Sequence, residues 1–145
     1  MVTYERTLAS WAPYLLSVTR IVAAALFMQH GAQKILGFPS SPPAGPPEME
    51  SLMWLAGMLE LIGGGLLLVG LFTRPVAFVL SGQMAVAYFL VHAPQDFWPV
   101  LNQGELAILY CFTFLYFASA GGGAWSLDAW RGRETVVIQD VRRAA

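Results

Sequence analysis

Charge is what this chain has least of: 12% of its 145 residues are Asp, Glu, Lys or Arg, where soluble domains carry roughly a quarter. With 57% hydrophobic residues and a mean hydropathy of +0.57, water is not the main solvent. Basic residues are equally scarce. The formal net charge is -1 and no Lys/Arg cluster occurs before the tail, which excludes a nucleic-acid-binding face. Cysteine occurs once, as Cys111 inside an apolar run, so an intramolecular disulfide and a Cys-x-x-Cys redox or metal pair are excluded. Cys111 is expected to serve packing, and no metal site is expected.

Long apolar runs are what the chain has in their place. Four candidate spans follow one another, at about residues 11–33, 52–72, 75–91 and 105–121, each near the ~17 to 25 residues that a helix needs to cross a ~30 Å hydrocarbon core. The first run follows Arg6, is too long for a signal peptide and lacks a small-x-small cleavage site, so it is expected to stay as a span. Pro39 to Pro47 reads as a loop that no helix can continue. Thr73-Arg74-Pro75 reads as a tight turn with Pro75 at a helix start, and Ala93 to Gly104 as a second loop. The fold class expected is therefore all-α: an integral membrane four-helix antiparallel bundle over residues 1–130, followed by a short charged tail over 131–145.

Basic residues orient such a bundle. Arg6, Arg74, Arg131, Arg133, Arg142 and Arg143 fall on one side, whereas Lys34 stands with Glu48, Glu50 and Asp96 on the other. Both termini are thus expected in the cytoplasm, with the bacterial cytoplasmic (inner) membrane as the location. Trp11, Tyr14, Trp54, Phe97, Trp98, Trp125 and Trp130 lie near span ends, where an interfacial aromatic belt belongs.

Two ionisable residues stand inside the apolar runs, Arg20 in the first and Glu60 in the second. Such residues are costly in hydrocarbon and face a bundle interior with a partner, or mark a functional site. Measured from Trp11 and Leu52, the two lie at depths of about 13 Å and 12 Å from opposite faces. Their heights then nearly coincide, and an Arg20–Glu60 pair is expected, either as a register lock or as a working centre. Ala56, Gly57, Gly63 and Gly64 share the Glu60 face and allow another helix to approach closely.

A second polar layer is expected at the outer end, where His30, Lys34, His92 and Glu105 should gather as a ligand or headgroup cluster, or simply as solvated helix ends. Helical spacing continues this layer into an aromatic stripe of Tyr88, Phe112 and Tyr116, expected to line a pocket. Gln29 and Gln83 are expected to bond between helices.

The series Arg20, His30-Gly31-Ala32-Gln33-Lys34, Glu60-x-x-Gly63-Gly64, Gly70-Leu71-Phe72-Thr73-Arg74-Pro75, His92, Gly104-Glu105 and Gly121-Gly122-Gly123-Ala124-Trp125-Ser126-Leu127-Asp128 resembles the DoxX family of small four-helix bacterial membrane proteins. The likeness covers roughly residues 15 to 130. It departs from the family's terminal Gly-Pro-Gly pattern at Gly122, and the Pro-rich loop is an elaboration. The resemblance carries Arg20, His30, Lys34, Glu60, Arg74 and Glu105 over as polar positions, and Trp125, Ser126 and Asp128 as the C-terminal motif. It implies an association with membrane oxidoreductase systems, including thiosulfate:quinone oxidoreductase and thiol-oxidative stress defence, and a fold in itself hands over no reaction.

Three functional readings follow. In the first, the chain is an accessory subunit of a membrane oxidoreductase that binds a quinone or another amphipathic ligand. His30, Lys34 and Glu105 would lie near the headgroup and Tyr88, Phe112 and Tyr116 along the ring and tail. The second is a small transporter or proton path, and the third a noncatalytic scaffold. No self-contained catalytic or redox-cofactor motif is present, and two histidines at helix ends are not expected to hold haem. The partners expected are the lipid bilayer, a membrane or cytoplasmic oxidoreductase and further copies of the chain; nucleic acid is not among them.

Overall fold

A computed structural model describes residues 2–43 and 45–132, with side chains from residue 9 onward. The charged tail expected over 131–145 lies, from residue 133, outside the described residues, as does the side chain of Arg6. Helices account for most of the rest: α1 over Val2–Leu36, α2 over Leu52–Val69, α3 over Thr73–Ala87 continuing into a π-helical turn at Tyr88–His92, α4 over Glu105–Ala120 and a short α5 over Leu127–Trp130.

Three of these, α1 from Ala9, α2, and α3 with its π turn, are long and apolar enough to cross a membrane. At 16 residues α4 is apolar but shorter. The chain is all-α and multi-pass. Boundaries follow local chemistry. Ser51 starts α2 by accepting the Trp54 amide on its hydroxyl at 3.1 Å, as an N-cap should. Gly70 ends it in the left-handed conformation, donating its N–H to Leu66 and Leu67. Pro75 sits in the first turn of α3, where its missing N–H costs nothing. Pro13 lies inside α1 without ending it, so this helix begins well before the expected residue 11.

Packing joins α1 to α2 and α3 to α4 along their lengths, while α2 meets α3 more sparsely. Both close pairs are antiparallel: Gly31 lies against Leu61 and Met28 against Gly64, and Ser81 donates to the Cys111 carbonyl at 2.8 Å while Arg74 reaches Ala118. The core is a column of Ala24 and Phe27 from α1, Leu67 from α2, Ala77, Leu80 and Met84 from α3, and Tyr110, Phe114 and Phe117 from α4. Phe27 stands edge-on to Phe114 at 4.8 Å, a preferred aromatic geometry. Large side chains such as Leu15, Phe78, Phe89 and Leu109 cover the outside, an apolar surface suited to acyl chains and not to water.

Candidate functional site

Polar side chains collect at two opposite ends of the helices. At the first end Arg20, fully buried, aims its guanidinium at main-chain carbonyls. Nε donates to Gly122 at 2.8 Å, one terminal nitrogen to Leu67 and to Leu68 (2.8 Å for the latter), and the other to Trp125 at 2.6 Å. Leu67 and Leu68 belong to the last turn of α2, whose carbonyls lack intrahelical partners and whose dipole favours a cation. Arg74 repeats the device on α4, donating to the carbonyls of Ala118, Ser119 and Ala120.

Asp128 supplies the opposite sign. Its carboxylate accepts the amides of Phe72 and Thr73 at 2.9 and 2.7 Å, capping the start of α3 where Phe72 offers no cap of its own. Its own amide donates to Gly70. Ser126 caps α5 by accepting from Ala129 at 3.0 Å and donates to Gly123. Gly123, at φ +76°, lies so close to α1 that a Cβ would fall 2.6 Å from the Pro13 carbonyl. The Gly121–Asp128 segment therefore ties three helix ends together. Its Ser126 and Asp128 side chains bond main chain, and its Trp125 amide donates to the Ser17 hydroxyl at 2.9 Å. Among the described residues only the buried Thr73 hydroxyl here accepts or donates no bond, so this end is a structural clasp.

The other end holds an open cleft of about 850 Å³ lined by α1, α2, α3 with its π turn, and α4. Gly31 sets it up. A Cβ there would lie 2.5 Å from the Leu61 nitrogen and 2.8 Å from the Gly57 carbonyl, so only glycine lets α1 and α2 approach this closely. One turn further on, Lys34 reaches the Glu60 carboxylate at 2.6 and 2.8 Å. Glu60 is 4% exposed and Lys34 22%. From α3, Gln83 donates its amide to the Ala56 carbonyl at 3.2 Å and to Glu60 at 3.3 Å, while its buried carbonyl oxygen accepts no bond among the described residues. His30, Tyr110 and His92 also line the cleft, and most of the remaining wall is apolar.

The expected Arg20–Glu60 pair does not form. Gly31 is the residue of α1 level with Glu60, and it lies eleven residues beyond Arg20, about 16 Å along the axis. The two charges stand at different heights, Arg20 level with the last turn of α2 and Glu60 at the middle of that helix, because the apolar runs begin at different heights on their helices. Glu60 pairs with Lys34. Of the expected outer cluster, His30, Lys34 and His92 do line one cleft, but Glu105 is exposed and outside it.

The expected pocket stripe is also corrected. Phe112 and Tyr116 are 65% and 58% exposed and point outward, since the inward face of α4 is the one carrying Ala107, Tyr110, Phe114 and Phe117. Tyr88 does not line the cleft; it stacks on His92, whose Nδ1 lies 2.9 Å from the Asn102 carbonyl. Gln83 bonds between helices as expected, whereas Gln29 is exposed. Phe27 and Tyr110 are lining residues that the sequence reading missed. For Tyr110 the signal is a hydroxyl-bearing aromatic in mid-run, one helical turn from Ala107; Phe27 offers none. Among the described residues no three of His, Cys, Asp and Glu converge as a metal ion would require.

A family model, DoxX, matches residues 15–93. A protein of Haemophilus influenzae that carries only the name "Uncharacterized protein" is similar to this chain, 45% identical over 125 residues, covering 83% of this chain and 93% of the relative. No solved structure matches.

Proposed function

Because the chain belongs to the DoxX family, whose members are multi-pass membrane proteins, we propose that it serves a membrane-associated oxidoreductase system as an accessory subunit, holding a quinone or similar amphipathic molecule in the cleft. The observation that carries this reading is the cleft itself: about 850 Å³, apolar walls, and a polar end made of Lys34, Glu60 and Gln83. That size and that ratio of apolar wall to a few convergent polar groups suit a small-molecule site. Quinone carbonyls accept hydrogen bonds, and Lys34, His30, His92 and Tyr110 are donors along the wall. Reduction to a quinol takes up electrons and protons in equal number. The electrons come from a partner oxidoreductase.

In the same reading α4, about 24 Å long, completes an antiparallel four-helix bundle in the bacterial cytoplasmic membrane. Arg74 and Arg131 put the clasp end and both termini in the cytoplasm, and the cleft opens toward the outer face. The test is extraction into polymer-bounded native lipid discs followed by mass spectrometry of bound small molecules. The wild-type protein should retain quinone, and Ala87→Trp, which fills the cleft from α3, should retain none while keeping its helix content. Equal quinone in both proteins would refute the assignment.

A further inference from the structure

We infer that the seam between α2 and α3 holds the hydrocarbon tail of the cleft's ligand, so that the ligand is a single-chain amphiphile with an uncharged head, loaded sideways from the bilayer. The inference rests on the reading of the cleft as a ligand site and adds where the chain leaves it. A second, wholly apolar groove of about 330 Å³ runs along α2 and α3, and it shares Leu55, Leu59 and Val79 with the cleft. The two spaces adjoin across these three side chains.

On α2 the stripe Leu55, Leu59, Ile62 and Leu66, and on α3 the stripe Val76, Val79 and Gln83, follow helical spacing from the polar end into the groove. From Gln83 to Val76 is seven residues, about 10 Å. This is also the sparsely packed seam, since α2 is held tightly by α1 and α3 by α4. The groove runs along most of α2, from Leu55 to Leu66 in its last turn, and along α3 back to Pro75 and Val76 in its first turn. The head is expected to be uncharged because Lys34 and Glu60 already neutralise each other at 2.6 Å. What they leave to a ligand is a set of dipoles.

The experiment uses full-length protein in lipid discs and a decyl benzoquinone with a diazirine at the far end of its chain. After photolysis, peptide mass spectrometry should find the adduct on Ile62, Leu66 or Val76, and excess unlabelled decyl quinone should abolish it. A chainless methyl benzoquinone should compete more weakly. Ile62→Trp should lose the seam adduct, since Ile62 is half exposed at the groove mouth and tolerates a larger apolar side chain. Leu109→Trp, on the outer face of α4, should keep it. Competed adducts on α1 or α4, or seam labelling indifferent to Ile62→Trp, would overturn the tail path and leave the cleft as a head site. No competable labelling by either quinone would overturn both.

Discussion

Replacing Arg20 with methionine keeps most of the buried volume and removes every donor. Of the carbonyls that Arg20 serves, Leu67 retains the Gly70 amide at 3.1 Å, and Gly122 retains a share of the Ser17 hydroxyl, 3.4 Å away, whose single proton is also donated to Pro13 at 2.9 Å. Leu68 and Trp125 lose the donor described here. Two orphaned acceptors at about 1–3 kcal/mol each predict a loss of roughly 2 to 6 kcal/mol, a large share of any fold's stability. Arg20→Lys keeps the charge but loses the planar fork, so it should recover only part of this. The assay is equilibrium unfolding of detergent-solubilised protein by increasing dodecyl sulfate, followed by circular dichroism. A loss below about 1 kcal/mol for Arg20→Met, within the range of an unremarkable substitution, would refute the clasp.

Asp128→Ala should cost about 1–2 kcal/mol in the same titration, the usual worth of a helix cap, and Asp128→Asn less; equal and negligible effects would show that the α3 amides find other partners. Gly31→Val should destabilise by about 1–3 kcal/mol or more, since a Cβ there falls 2.5 and 2.8 Å from the Leu61 and Gly57 backbone and 2.9 Å from Glu60 Cβ, none of which can swing aside. Gly82→Ala, with nothing within 4 Å of the new atom, should be neutral or gain up to about 1 kcal/mol, and a loss there would contradict its open surroundings. Glu60→Leu should be more destabilising than the double substitution with Lys34→Met, because an unpartnered charge costs more than an apolar pair. A double variant less stable than either single one would contradict the pairing.

Helix positions are largely legible in the amino-acid sequence, since Leu52 and Glu105 begin α2 and α4 where hydropathy places them. Relative height is not. Hydropathy tells how much of a helix is apolar but not where it stands against its neighbour, and Arg20 and Glu60 were therefore matched across a gap of about 16 Å. Facing is also hidden. In a soluble helix an apolar stripe marks the core, but in lipid both sides are apolar, so Phe112 and Tyr116 could not be told from Tyr110 and Phe114 by pattern. The Trp125-Ser126-Leu127-Asp128 motif is visible as letters, yet its work lies in contacts with Gly70, Phe72 and Thr73, more than fifty residues away. The Lys34–Glu60 pair depends on Gly31, whose importance appears only when α1 and α2 are set against each other.

One end of the molecule is knotted by Arg20, Arg74 and Asp128, whereas at the other the hairpin of α1 and α2 meets the hairpin of α3 and α4 through little polar contact beyond Gln83. Such an object is a pair of tongs. Its jaws can part only away from the rivet, so breathing motions concentrate beside Lys34 and His92, and deuterium uptake should be fastest there and slowest around Gly70.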